Sequence, residues 1–111
     1  MNTGRVLEIA FLTKRIRQIC EDNEDAVAEY GDDIADALKA RLSDLRAAEF
    51  VHDLVVGYPR AAGGMFIIDL IGRFKLLLEA NHVSNPILDS GDVDWRKVRR
   101  IKVLGIEQLD D

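Results

Sequence analysis

The pattern of apolar and polar positions between residues 13 and 54 predicts two helices. Apolar side chains recur at steps of three and four residues in both halves, as expected for helices that each bury one face. The first stripe contains Ile16, Ile19, Cys20, Val27 and Tyr30, and the second contains Ile34, Leu38, Leu42, Leu45 and Ala48. The pair Tyr30-Gly31 interrupts the pattern, so a tight helical hairpin is predicted.

The ends of both helices carry suitable residues. Thr13 is a good N-cap for the first helix, because its hydroxyl can accept a hydrogen bond from a free backbone N–H. Gly31 can take the left-handed conformation that ends this helix. Asp32 and Asp33 then stand in the first turn of the second helix, where its dipole favours negative charge.

On either side of the hairpin the period changes to that of strands, which are predicted at residues 6–12, 65–71, 73–80 and 101–107. Gly72 is the expected turn of an antiparallel pair, and residues 81–94 are expected to form a longer exposed loop. The order β-α-α-β-β-β predicts an α+β fold, in which a helical hairpin packs on a small, mainly antiparallel sheet. The length of 111 residues and a nearly half apolar composition favour a single domain over residues 1–111.

Charge is unevenly distributed along the chain, which has a net charge of −5. Eight acids and no base lie between Gln18 and Leu38. Five bases lie close together near the last strand: Arg96, Lys97, Arg99, Arg100 and Lys102. The acidic run is typical of a solvated helix face or of a dedicated contact. The basic cluster is compatible with binding phosphate, binding an acidic partner segment, or protecting an edge strand from aggregation.

Other candidate chemistry is sparse. Cys20 lies on the apolar stripe, which favours a buried structural thiol over a nucleophile. His52 and His82 are expected at the surface or at its boundary, and their spacing predicts no metal site. Trp95 is expected to pack under the preceding loop, although it could also stack on a base. Gly63-Gly64 is expected to be a flexible turn, and no cofactor is predicted.

Several segments together resemble the RelE/ParE superfamily of toxins from bacterial type II toxin-antitoxin modules, most closely its HigB-like branch. They are TKRIRQICED at 13–22, the Tyr30-Gly31 break, RLSDLRAAE at 41–49, FIIDLIGRFKLLLEA at 66–80 and DVDWRKVRRIKVLGIE at 92–107. The resemblance implies a ribosome-dependent mRNA endonuclease, and the sequence itself predicts a cytoplasmic protein. The resemblance further implies inhibition by a cognate antitoxin, often one with a helix-turn-helix domain, and contact with the ribosome and mRNA. The sequence predicts no membrane contact, because no apolar run approaches the roughly 20 residues of a membrane span.

The chain departs from the HigB-like pattern at two places. The family's Cys-His-x-Leu stretch before the second strand is replaced by Gly57-Tyr58-Pro59-Arg60-Ala61-Ala62-Gly63-Gly64. The Asp-Tyr-His ending is replaced by Gln108-Leu109-Asp110. RNA cleavage needs groups that move protons and cations that stabilise a phosphorane, and the usual acid-base positions are not matched here.

The candidate catalytic residues are Lys75, Arg73 and Arg60. If Phe74, Leu76 and Leu78 face the helices, Arg73, Lys75 and Glu79 point to the opposite, open face of the sheet. Lys75 takes the position of the family's strand arginine, so the resemblance implies that it binds phosphate. Tyr58 and Arg60 are expected near it, and Tyr58 joins the basic cluster as a candidate for binding RNA or a partner. The competing interpretation is that Arg73 and Lys75 are ordinary solvated residues.

Two functional hypotheses follow. The chain is either an active mRNA endonuclease that uses the cations of the open sheet face, or a non-catalytic protein of the same fold. The second kind would bind only an antitoxin, or a protein target such as DNA gyrase.

Overall fold

The computed structural model describes residues 6–109 and has an α+β architecture. Its helices are α1 (Lys14–Glu21), α2 (Asn23–Tyr30) and α3 (Asp32–Ala47). Its strands are β1 (Glu8–Phe11), β2 (Arg60–Ala62), β3 (Met65–Asp69), β4 (Phe74–Ala80) and β5 (Arg100–Gln108). Short 3₁₀ turns lie at Val51–Asp53 and Trp95–Lys97.

The strands form one sheet in the order β1-β5-β4-β3-β2. β1 is parallel to β5, and the other three neighbouring pairs are antiparallel, so the predicted mainly antiparallel sheet is confirmed. The core lies between one face of this sheet and the helices. Leucines of α3 pack there against alternate residues of the three central strands, among them Leu38, Leu42, Leu45, Ile68, Leu76, Leu78, Ile101 and Val103.

The helical region differs from the prediction at one point. The first predicted helix is wrong as a single element, because Asp22 has an extended backbone and separates α1 from α2. The Asp22 side chain accepts a hydrogen bond from the N–H of Glu24 and so starts a new helix. The N-cap at Thr13 is confirmed, since its Oγ1 accepts from the N–H of Ile16. Gly31 ends α2 with φ +88°, although its ψ of 168° is not that of a left-handed helix.

The hairpin of β2 and β3 was absent from the sequence-based prediction, which expected only a flexible turn at Gly63-Gly64. These two glycines have φ +56° and +87°, and Ala62 pairs with Met65 across them. A two-residue loop with positive φ at both positions matches the twist of paired strands, and glycine adopts it without steric cost. The Gly-Gly pair was therefore the available signal for this hairpin.

The hairpin of β3 and β4 turns at Gly72, as predicted. Its partners lie symmetrically about this glycine, from Phe66 opposite Leu78 to Asp69 opposite Lys75. Leu76 and Leu78 are fully buried against the helices, so the predicted inward direction of these two residues is confirmed.

The connection from β4 to β5 is the predicted loop, with one isolated bridge between Ile87 and Val93. Trp95 at its end is buried, and its ring centroid lies 4.9 Å from that of Phe66, which confirms the predicted packing. Among the described helices, none is long and apolar enough to cross a membrane.

Candidate functional site

Three charged side chains form the centre of the candidate site. Asp69 Oδ1 lies 3.1 Å from Lys75 Nζ and 3.0 Å from Arg60 Nη1. Lys75 lies on the sheet face opposite the helices, as predicted, but only 1% of its surface is exposed. The structure therefore places its ammonium group in a nearly closed contact with a carboxylate.

Strand pairing brings these residues together. Asp69 at the end of β3 is directly opposite Lys75 on β4, and Arg60 on β2 is opposite Ile67, two residues before Asp69. Residues that are paired, or that lie two apart, share one face of a sheet. All three side chains consequently converge on the face away from the helices.

Tyr58 lies at the rim of this cluster. It is the one residue other than glycine with positive φ (+47°) in the described chain, and 69% of its surface is exposed. The Arg60 guanidinium lies 4.6 Å from the centre of its ring and also donates a hydrogen bond to the Tyr58 carbonyl. Tyr58 is thus held in a strained backbone conformation by a cation–π contact and a hydrogen bond.

Gly57 lets the chain segment that leads into Tyr58 lie close to β3. Its carbonyl accepts a 2.7 Å hydrogen bond from the N–H of Asp69, and its φ is +90°. A Cβ atom here would lie 2.7 Å from Ile68 Cγ2 and 3.1 Å from the Asp69 carbonyl. Only glycine fits so close to β3, and the following residue is thereby placed beside Arg60.

The electrostatics of the cluster keep Asp69 ionised. Partial burial alone would raise the pKa of its carboxyl, but the hydrogen bonds and charges of Lys75 and Arg60 outweigh burial and lower it. A carboxylate whose pKa lies below the ordinary 3.8 is a weak base at neutral pH. Asp69 is therefore better suited to neutralise the two cations than to accept a proton in catalysis.

Arg73, the third predicted catalytic residue, lies in the turn between β3 and β4. It lines a groove formed with the junction of α2 and α3, next to Asp32 and Asp33. The structure brings Tyr58, Arg60 and Lys75 together as expected, and it places Arg73 beside the helical junction.

The five predicted binding cations are all paired with carboxylates. Each lies within 4.0 Å of a carboxylate: Arg96 and Lys97 of Asp94, Arg99 of Glu49, Arg100 of Glu8, and Lys102 of Glu79. Arg99 also lies over the ring of Phe50, whereas Arg100 and its partner Glu8 belong to two adjacent strands. The cluster seen in the sequence is thus divided among the second 3₁₀ turn, the end of α3 and the sheet.

His82 has a structural role at the start of β5. Its Nε2 accepts hydrogen bonds from the backbone N–H groups of Arg99 and Arg100, which requires a neutral ring that carries its proton on Nδ1. Burial lowers the pKa of His82, and the nearby charges of Arg100 and Arg99 lower it further, against the opposing effect of Glu8. His52 is exposed, so both histidines lie at the surface or its boundary, as expected.

Cys20 is partly buried. Burial raises the pKa of its thiol to about 11, with Arg46 opposing and Glu21 reinforcing this change. This agrees with a structural thiol, because the reactive form of cysteine is the thiolate. Among residues 6–109, no group of three His, Cys, Asp or Glu side chains could hold a metal ion.

Asp69 is the residue of the site that the sequence-based prediction missed. With Gly72 as the centre of the hairpin, Asp69 and Lys75 are equally distant from the turn and must face each other. The signal was therefore present once the turn had been located.

No protein family, curated protein or solved structure matches this chain.

We expect that replacing Asp69 with alanine destabilises the fold, because it removes the carboxylate from a buried ammonium group. The expected loss in free energy of unfolding is about 2 kcal/mol, less than for a fully buried pair because Asp69 is 31% exposed. Urea denaturation at pH 7 measures it. Adding Lys75→Met to Asp69→Ala should restore part of the loss. If the stability losses of the two single variants simply added in the double variant, the two charges would not be coupled.

The close approach of Gly57 to β3 leads to a second prediction. Gly57→Ala should cost about 1–3 kcal/mol more than Gly63→Ala, because only the first introduces a steric clash. Both glycines have positive φ, whereas a Cβ at Gly63 meets no atom within 4 Å. Urea midpoints of the two variants give the comparison, and equal losses would contradict the contact with β3.

His82 should make stability depend on pH. Because its pKa is lowered on folding, its contribution is complete above the ordinary value of 6.5 and is lost as pH falls through the lower folded value. The free energy of unfolding should therefore fall between pH 7 and pH 5. In His82→Gln, which keeps an acceptor but does not titrate, this fall should be smaller. Identical pH profiles would refute the role of His82.

Proposed function

We propose that this chain is the toxin-fold subunit of a type II toxin-antitoxin module, and that it acts by binding proteins. The resemblance of its segments to HigB-like proteins supports the module. The structure, with three helices on a five-stranded mixed sheet over residues 6–109, has the α+β class that the resemblance implies. The cognate antitoxin, often one with a helix-turn-helix domain, is the expected partner.

The burial of Lys75 is the observation that carries the choice of binding over cleavage. A cation that stabilises a phosphorane must reach the phosphate oxygens in the transition state. Lys75 has 1% of its surface exposed and lies 3.1 Å from Asp69, so phosphate contact would require this pair to separate. Separation of such a pair is costly, because it removes a close carboxylate from a buried ammonium group.

The paired basic cluster supports the same choice. Continuous RNA contact draws its affinity from cations that neutralise successive phosphates. Here Arg96, Arg100 and Lys102 each have a nearby carboxylate that competes with phosphate. A phosphate would therefore have to displace a carboxylate at each of these positions, which weakens the case for an RNA track.

A second candidate function, ribosome-dependent mRNA cleavage, is favoured by Tyr58 and Arg60. An exposed aromatic ring beside a guanidinium can stack on a base, and Arg60 could approach a phosphate. In this alternative, Tyr58 and Arg60 would contact RNA, and Lys75 would hold Asp69 in place through their ion pair.

Controlled expression in bacteria, with a pulse of labelled amino acid, separates the two functions. Under the proposed function, expression of the chain alone arrests growth while translation is initially maintained. Co-expression with the product of the adjacent reading frame should relieve arrest and give a stoichiometric complex by size exclusion. Lys75→Met should leave both results unchanged, once soluble expression has been matched.

An early collapse of translation would overturn the binding mechanism in favour of mRNA cleavage. Tyr58→Ala with Arg60→Gln should then relieve the collapse, whereas Arg15→Gln with Arg17→Gln, on α1 at the opposite face of the sheet, should not. If soluble expression caused no arrest and no adjacent product bound the chain, the toxin-antitoxin role itself would be wrong.

A further inference from the structure

The groove between the α2–α3 junction and the turn of β3 and β4 is distinct from the Asp69 cluster. Its floor is apolar and consists of Tyr30, Ile34, Ile71 and Phe74. The rings of Tyr30 and Phe74 meet edge to face, with centroids 6.2 Å apart. This contact joins the two walls, so the floor is already formed in the isolated chain.

Ile71 makes the groove unusual for a solvent-facing surface. It lies in the turn before Gly72, and 47% of its surface is exposed. Turns in water generally carry polar residues or glycine, which form local hydrogen bonds or adopt unusual backbone angles. An exposed isoleucine next to two partly buried aromatic rings offers apolar area that a partner could cover.

The rim of the groove on the helical side is acidic. Asp32 and Asp33 are both exposed, and no ion pair among the described residues involves either one. They are in the first turn of α3, where the helix dipole favours them, but this role does not account for the apolar floor beside them. Arg73 lies on the opposite wall, which leaves the lining with an excess of negative charge.

We propose that this groove docks a cationic segment of a protein partner. An apolar side chain of that segment would cover Ile71 and Phe74, and a lysine or arginine beside it would pair with Asp32 and Asp33. Complementary charge selects this occupant over a nucleic acid, whose phosphates the two carboxylates would repel. The inference deepens the proposed function and rests on it for the presence of a protein partner.

The probe for this groove is a synthetic peptide of about 15 residues, with leucine and lysine at amphipathic helical spacing. A matched peptide carries glutamate in place of lysine. Binding is followed by NMR chemical shifts of the ¹⁵N-labelled full chain. The lysine peptide should shift the amides of Ile34, Ile71 and Phe74, and the glutamate peptide should not bind.

Two variants test the rim and the floor separately. Asp32→Asn with Asp33→Asn should weaken binding of the lysine peptide roughly tenfold, and Ile71→Ser should have a similar effect. The control, Glu24→Gln with Asp89→Asn, makes the same change in net charge away from the groove and should change affinity much less. Equal weakening by the control, or shifts confined to another surface, would overturn the proposal.

The two proposals can fail independently. If the lysine peptide bound in the groove but the chain neither arrested growth nor bound the adjacent product, the toxin role would be wrong. The docking site would then still stand. An antitoxin complex that is unaffected by the rim and floor variants, together with no peptide binding, would remove only the docking site.

Discussion

The register of β3 and β4 about Gly72 is the constraint on which the rest of the structure depends. It places Phe66 and Ile68 in line with Leu78 and Leu76, all facing the helices. A slip of one residue would turn this apolar set away from the core. The same register fixes Asp69 opposite Lys75, so the pairing that forms the core also determines the chemistry of the outer face.

Ion pairs in the folded chain determine which of its charged residues are left to attract a partner. The sequence suggests an acidic helical hairpin and a basic region near the last strand. In the structure, the basic residues of that region each have a carboxylate neighbour, whereas Asp32 and Asp33 have no ion pair among the described residues. The groove beside the helical junction therefore keeps an acidic rim, and the paired cations offer less attraction for phosphate.

The outer face of the sheet combines a neutralised cluster with an exposed, strained tyrosine. Gly57 brings the chain against β3, and Tyr58 follows in a conformation that residues other than glycine seldom adopt. Such strain persists only where neighbouring contacts impose it, which here are made by Arg60. Tyr58, held by Arg60 and exposed to solvent, is better placed to contact another molecule than the buried Lys75.

Local patterns in the sequence were sufficient for much of the fold. Periodicity predicted the helical face of α3 and four of the strands, while Thr13 and Gly72 marked a helix start and a turn. The break at Asp22 was missed because one side-chain cap outweighed a continuous apolar stripe. The hairpin at Gly63-Gly64 was missed because two glycines were interpreted as flexibility.

The sequence by itself determined which residues alternate between the two faces of β4, because strand geometry makes neighbours point in opposite directions. Only the tertiary structure decided that Lys75 is buried, that Asp69 joins it to Arg60, and that each base of the basic cluster lies near a carboxylate. Those outcomes depend on residues brought together from separate strands and helices, such as Glu8 beside Arg100. Burial and ion pairing are properties of that three-dimensional arrangement, and no local periodicity contains them.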